Sequence, residues 1–232
     1  MGRMMKKGTD KDKLKKTIFL LFPLAIIVTG LMLFLPAGSL NYWQAWLFMV
    51  TLFIPFFFLA IYFLKHDPEL LKRRMKFKEK EAQQILIIKL ANIFFFIGFL
   101  IPGFDYRFGW SNVPVFLVVL SNLVIFAGIL LIFFVYKENS YTSRIIHVEK
   151  RQKVVTTGPY SIIRHPMYLG VIMMFISIPT ALGSYWALLF FIPVIALIFF
   201  RTLNEEKVLL RDLKGYAKYM QKVKYKLVPG VW

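Results

Sequence analysis

The chain of 232 residues contains no cysteine, few acidic residues and three histidines. The absence of cysteine excludes disulfides, thiolate catalysis and cysteine-ligated metals. The three histidines, His66, His147 and His165, share no metal-ligand spacing, so we expect no metal site. The sequence also lacks a G-x-G-x-x-G element, which is the usual sign of a Rossmann nucleotide site.

Apolar residues are abundant instead. They make up 58% of the chain, whereas soluble domains average about 45–50%. Each membrane-spanning helix needs roughly 20 apolar residues, and the apolar runs lie at about 17–36, 43–64, 85–104, 113–136 and 167–200. We expect run 17–36 to be a retained first helix rather than a signal peptide, because it is long for the apolar region of one.

The last apolar run, 167–200, is too long for one comfortable helix. Pro179 and the Leu-Gly-Ser sequence at 182–184 predict a hairpin of two shorter helices there. The sequence therefore predicts an all-α integral membrane protein with about six transmembrane helices and a C-terminal helical hairpin. We expect a single membrane domain over 1–232, with four of the helices in 1–136.

Charge is distributed unevenly along the chain, whose formal net charge is +18. The segments 1–16, 65–89, 137–166 and 201–232 hold 29 of the 30 lysines and arginines, which leaves Arg107. With six spans, all four segments fall on one side of the membrane. The positive-inside rule then predicts cytoplasmic termini, and we expect the plasma membrane. We expect these tracts to bind anionic lipid headgroups; no motif supports a nucleic-acid partner.

The stretch GPYSIIRHPMYLG, at 158–170, concentrates polar chemistry beside an apolar run. It predicts a strand-like entry, a turn at Gly158 and a helix that starts near Pro166. Arg164 and His165 then lie at the helix N-terminus, where free backbone N–H groups favour an anion. The alternative is an interfacial anchor, with a snorkelling arginine and belt tyrosines.

A second polar group, Arg201, Glu205 and Glu206, lies at the predicted end of the last span. Arg201 and Glu205 are i,i+4 neighbours on a helix and can pair. One interpretation is a surface ion pair of little energetic value. The other is functional, because acidic side chains at a membrane boundary are costly unless partnered: the glutamates orient a ribose or a cation, and Arg201 binds a carboxylate.

Three further segments are polar or aromatic. The tail, in which tyrosines alternate with lysines, predicts an amphipathic helix on the headgroups, with closure over 158–170 as the alternative. The sequence DYRFGWSN at 105–112 fits a structural aromatic belt. Asn139, Ser140 and Arg144 are candidates to face the same pocket as 158–170.

These motifs together resemble a known family. The order T-G-P-Y-x-x-x-R-H-P-x-Y-x-G, an apolar hairpin, R-x-x-x-E-E-x-x-L and a G-Y-x-x-Y tail resembles the isoprenylcysteine carboxyl methyltransferases. These are small membrane enzymes related to the phospholipid methyltransferases. The resemblance covers about 141–229 and implies that 137–232 is a cofactor-binding region with a cytoplasmic pocket for S-adenosyl-L-methionine.

Carried over position by position, the resemblance implies both cofactor contacts and an acceptor pair. Arg201 and Glu205 match the family's substrate-side pair, so they are the candidate catalytic residues. The implied cofactor contacts are Gln152, Lys153, Val154, Val155, Tyr160, His165, Pro166, Met167, Tyr168 and Glu206.

The resemblance implies methyl transfer to a lipophilic or lipidated acceptor, and a prenylcysteine-type carboxylate is the first choice. Such a carboxylate is already ionised at neutral pH, so no base is required. An amine acceptor, as in phospholipid methylation, or a thiol acceptor needs proton removal. Glu205 and Glu206 are the nearest candidates for that base. Two other classes stay open: an NADPH-dependent sterol-type reductase, and a lipid-binding membrane protein without enzymatic activity.

Overall fold

The computed structural model of the chain describes residues 2–75, 82–146, 148–149 and 152–232. Five cations of the basic segments, Lys76, Lys78, Lys80, Lys150 and Arg151, lie outside the described residues, as does His147. The part of the chain that is described contains helices and no strand, in this order: α1 Gly2–Ala37, α2 Trp43–His66, α3 Pro68–Arg74, α4 Ala82–Phe108, α5 Val115–Glu138, a 3-10 turn at Gly158–Ser161, α6 Pro166–Ala181, α7 Leu188–Asp212 and α8 Tyr216–Lys222.

Five of these helices, α1, α2, α4, α5 and α7, are long and apolar enough to cross a membrane. The apolar α6 has 16 residues, which is about 24 Å at the usual helical rise and short of a full span. The prediction of an all-α integral membrane fold is confirmed, and the described residues form five helices long enough to span and one shorter apolar helix.

The predicted hairpin in 167–200 is present as α6 and α7, which are joined by residues 182–187. Gly183 makes this turn with a positive φ of 73°, a conformation that glycine adopts at no steric cost. Helix α7 continues beyond the apolar run to Asp212, so Arg201 and Glu205 lie on one helix, as their i,i+4 spacing assumed. Its polar residues beyond 200 bind neighbouring segments, so the helix persists after the apolar run stops.

Helices α5 and α6 pack against each other through two glycines. A Cβ on Gly128 would lie 2.7 Å from the carbonyl oxygen of Gly170, and a Cβ on Gly170 would lie 2.8 Å from that of Gly128. Small residues permit such close helix approach in a membrane. Farther along the pair, the hydroxyls of Ser121 and Thr180 are 2.6 Å apart. This packing brings the start of α6 beside the end of α5.

The helices define two ends of the molecule. At the basic face, α2, α5 and α7 end while α4 and α6 begin. At the hairpin face, buried Asp105 accepts hydrogen bonds from the backbone N–H and the hydroxyl of Ser111, each at 2.7 Å, and from the hydroxyl of Ser184. These bonds tie segment 105–112 to the α6–α7 turn. Trp110 is half-exposed beside them, so the structural interpretation of this segment agrees with the fold.

Candidate functional site

A pocket at the basic face lies between the 139–165 loop, the start of α6, the end of α7 and the tail. Ten of the twelve residues that the sequence indicated as site residues line it, namely Gln152, Lys153, Val154, Val155, Tyr160, His165, Met167, Tyr168, Arg201 and Glu205. Pro166 and Glu206 do not line it. The structure therefore brings together the segment before the hairpin and the segment after it.

The loop enters the pocket without regular structure over 152–156, so the strand-like entry is not a strand. The turn at Gly158 is present with a positive φ of 56°. Beside it, the hydroxyl of Thr157 donates to the carboxylate of Glu138 at the end of α5. This contact fixes the 3-10 turn that carries Tyr160.

Tyr160 is buried in the pocket wall. Its hydroxyl accepts a hydrogen bond of 3.0 Å from the amide of Asn139, and its carbonyl accepts one of 2.7 Å from the hydroxyl of Tyr219. Burial raises the pKa of the Tyr160 hydroxyl well above its ordinary value, so this group is a neutral hydrogen-bonding partner. Of the three residues expected to face the same pocket as 158–170, Asn139 lines it, whereas Ser140 and Arg144 do not.

The start of α6 differs from the expected open N-terminus. The backbone N–H of Arg164 donates to the carbonyl of Tyr225 at 3.0 Å, and that of His165 donates to Lys226 at 2.9 Å. The tail therefore occupies the N–H groups of the two residues that precede α6. Pro166 begins α6 and is buried.

Arg164 forms a buried ion pair with Glu206. Arg164 Nε lies 2.6 Å from Glu206 Oε1, and the two side chains are 5% and 7% exposed. The same guanidinium donates to the carbonyls of Val223 at 2.8 Å and Lys224 at 2.6 Å. His165 Nε2 lies 3.3 Å from the same Glu206 oxygen. Glu206 thus faces Arg164 and His165, which is a role that the acidic position alone did not indicate.

Arg201 and Glu205 are linked through the hydroxyl of Tyr168. Arg201 Nε donates to this hydroxyl at 2.9 Å, and the hydroxyl donates to Glu205 Oε2. Arg201 also donates to Oε1 of Gln84 at 2.9 Å and to the carbonyl of Arg144 at 2.6 Å. The interpretation of Arg201 as part of a simple surface ion pair is wrong, because its guanidinium joins α4, α6 and the 139–149 loop.

The tail forms one wall of the pocket. Tyr216 and Tyr219 of α8 are buried, and they pack with Val154 and Val223. Burial raises the pKa of Tyr219 to about 12, which keeps its hydroxyl neutral as a donor to Tyr160. The prediction of an amphipathic helix on the headgroups is wrong for α8, and the alternative of closure over 158–170 agrees with these contacts.

Several residues that line the pocket, and Gln84 beside it, escaped the sequence-based prediction. Gln84 lies at the start of α4, and its proximity to Arg201 follows from helix packing alone. The segment 141–146 contributes lining side chains but carries no regular pattern. Tyr216 and Tyr219 had a usable signal, since their spacing places two aromatic rings on one face of a short helix.

The site and the fold together define a polytopic helical membrane protein with a polar pocket at the ends of its helices. Residues 116–215 match the family model of phospholipid methyltransferase, PEMT. This stretch, less than half of the chain, includes α5, α6, α7 and most of the pocket. This match confirms the resemblance to the small membrane methyltransferases, and it supports a membrane methyltransferase. No curated protein matches the chain.

Proposed function

We propose that this protein transfers a methyl group from S-adenosyl-L-methionine to a lipophilic acceptor at the basic face of a membrane. One observation carries the proposal: segment 152–168 and the residues Arg201 and Glu205 line the same pocket. That pocket lies where water meets the ends of the apolar helices. A water-soluble donor and a membrane-borne acceptor therefore both have access to it.

The pocket residues suit the donor chemically. Val154, Val155 and Ile146 offer apolar surface for a planar ring, and Lys153 and His165 offer polar atoms beside it. S-adenosyl-L-methionine would supply a methyl group on a positively charged sulfur. Because methyl transfer is an in-line displacement, the protein needs mainly to align the reactants and exclude water. The assigned donor contacts Pro166 and Glu206 would act indirectly, from behind the lining side chains.

A carboxylate of the prenylcysteine type is the acceptor that this geometry favours. Arg201 is held in place by the hydroxyl of Tyr168 and by Gln84, so its charge is fixed for orienting an anion. Glu205 acts on Arg201 through Tyr168. The acceptor oxygen attacks the methyl carbon, the carbon–sulfur bond breaks, and its electron pair stays on sulfur. No proton moves in this step.

A phospholipid amine is the second candidate, and the match to the phospholipid methyltransferase model favours it. Its phosphate would pair with Arg201, while its amine must lose a proton before or during attack. Glu205 is the candidate base for that proton. A phospholipid amine therefore needs Glu205 as a base, whereas a carboxylate acceptor does not.

Labelled methyl donor and a panel of acceptors test the proposal. Purified full-length protein in lipid nanodiscs is incubated with a farnesylated cysteine analogue or with phosphatidylethanolamine, and the labelled product is identified. We expect methyl ester from the first acceptor. If the methylated amine is the only labelled product, the acceptor is the phospholipid amine and not the carboxylate. Absence of labelling, together with binding of NADPH, would point to the reductase class, and no binding of either cofactor would point to a lipid-binding protein.

We also propose that the basic face is cytoplasmic, in the plasma membrane. Most of the described lysines and arginines that flank the spans lie on this face. A reporter protein fused to the C-terminus checks the orientation. Activity that is specific to the cytoplasm agrees with the proposal, and activity that is specific to the opposite side contradicts it.

A further inference from the structure

The short helix α3 follows α2 and packs against α1 and α2. Its N-terminus is capped by Asp67, whose side chain accepts the N–H of Leu70 at 3.1 Å. Pro68 occupies the first helical position, where a missing N–H has no cost. Leu70 and Leu71 are buried in the main apolar core. These contacts hold α3 in place, so its last turn has a fixed position.

That last turn carries Arg73 and Arg74, and both bind the loop that follows α5. Nη1 of Arg73 donates to the carbonyl of Ser140 at 2.9 Å and lies 3.2 Å from its hydroxyl. Nη1 of Arg74 donates to the carbonyl of Ser143 at 2.9 Å. The hydroxyl of Ser143 returns a bond of 3.3 Å to the carbonyl of Arg73. Contacts therefore run in both directions between α3 and residues 140–143.

Each arginine also touches a second part of the loop or the site. The guanidinium of Arg73 lies 5.5 Å from the ring centre of Tyr141, and its Nε lies 3.6 Å from Glu149 Oε1. Arg74 Nη1 lies 3.5 Å from the sulfur of Met167, at the start of α6. The two arginines thus join the loop and α6 to one rigid helix turn.

The loop depends on its contacts with α3, because regular secondary structure does not stabilise its described residues. The described residues between α5 and the 3-10 turn form neither helix nor strand. Yet Tyr141, Ser143 and Ile146 line the pocket, and the carbonyl of Arg144 holds Arg201. The position of one pocket wall therefore depends on the contacts made by α3.

We propose that Arg73 and Arg74 are positioning residues that hold residues 140–146, which form one wall of the pocket, in their ligand-binding arrangement. The inference rests on the proposed function of the pocket. It adds a part that lies before residue 116, and so outside the stretch that matches the family model. Preorganised walls improve affinity because the ligand does not have to order them on binding.

The test measures binding of S-adenosylhomocysteine, the demethylated donor, by calorimetry in lipid nanodiscs. The variants are Arg73→Ala, Arg74→Ala and their combination in the full chain. The double variant should bind about tenfold or more weakly, because hydrogen bonds from charged groups are each worth about that factor. Lys65→Ala is the matched control, since this exposed lysine ends α2 on the same face, and its affinity should equal that of the unmodified protein.

Replacement by lysine separates positioning from general stability. Lysine keeps the charge and one donor but loses the planar fork. Arg73→Lys with Arg74→Lys should therefore bind with intermediate affinity while the midpoint of thermal unfolding stays unchanged. If the alanine double variant does not fold, the lysine pair is used for the binding measurement instead. Unchanged affinity in the lysine pair and in every folded alanine variant, or an equal loss in Lys65→Ala, overturns the inference. Absence of binding by the unmodified protein overturns the proposed donor instead.

Discussion

The hydroxyl of Tyr168 lies 2.9 Å from Nε of Arg201, and this contact joins the start of α6 to the second half of α7. The same hydroxyl donates to Glu205. Three side chains thus act as one unit at the rim of the pocket. Any account of catalysis at this rim depends on how rigidly the unit holds the guanidinium.

Replacement of Tyr168 by phenylalanine should lower kcat for methyl transfer by on the order of 10–100-fold, since small misplacements of a reacting group carry costs of this size. Thermal unfolding should change little, because the ring and its packing remain. Steady-state kinetics with labelled donor checks the result. Tyr185→Phe is the control, since this exposed tyrosine lies at the hairpin face, and unaltered turnover in Tyr168→Phe would contradict the linked unit.

Arg201→Ala and Glu205→Ala should each eliminate turnover while the protein still folds. Arg201 loses its orienting charge, and Glu205 loses its hold on Arg201 through Tyr168. Single-turnover assays on purified, monodisperse variants check this. Robust methylation by either variant would refute the assigned roles.

The buried pair of Arg164 and Glu206 should show strong coupling in stability. Arg164→Met alone removes the arginine partner of buried Glu206 and leaves His165 Nε2 at 3.3 Å, and the loss of one member of a buried ion pair costs about 3–5 kcal/mol. The double variant Arg164→Met with Glu206→Met should be destabilised by less than the sum of the single variants. Unfolding measured in micelles for all four proteins completes the cycle. Strict additivity would show that the two side chains do not interact.

The crossing of α5 and α6 should tolerate no added methyl group. Gly128→Ala places a Cβ 2.7 Å from the carbonyl oxygen of Gly170, so the helices must separate and thermal stability should fall. Gly30→Ala is the matched control in α1, where the nearest atom would be Met49 Cε at an ordinary 3.6 Å. Equal unfolding temperatures for the two variants would contradict the close approach.

Alkaline pH should loosen the tail through Tyr219. Burial raises its pKa to about 12 in the folded protein, against about 10 in the unfolded chain. The stabilisation by its neutral hydroxyl is therefore complete below about pH 10, and it is lost as pH rises toward about 12. Tyr219→Phe should show a smaller fall in stability over this range. Unfolding curves at a series of pH values compare the two proteins, and identical pH profiles would show that the hydroxyl contributes nothing.

The sequence predicted the helical membrane fold and the hairpin because both follow from local patterns. Runs of apolar residues reveal spans, and the Gly183 turn follows from local turn chemistry. Local signals did not set how far α7 extends beyond its apolar run, which is to Asp212. Polar residues beyond 200 remain helical because Glu206 meets Arg164 and Arg201 meets Gln84, and these are contacts between distant segments.

The site residues that belong to a sequence motif could be predicted. The contacts between distant segments of the chain could not. The resemblance placed Tyr160, His165 and Arg201 in one site, and all three line the pocket. No pattern in the sequence indicated that the tail carbonyls would occupy the N–H groups of Arg164 and His165. Nor could periodicity reveal that α3 supports the loop.

We propose that the pocket between 152–168 and 201–219 holds the methyl donor. Calorimetry of the purified chain in nanodiscs with S-adenosylhomocysteine, and separately with NADPH, measures whether it does. We expect saturable binding of S-adenosylhomocysteine that Tyr160→Ala weakens, and no binding of NADPH. Saturable binding of NADPH, or no binding of S-adenosylhomocysteine by the folded protein, would contradict it.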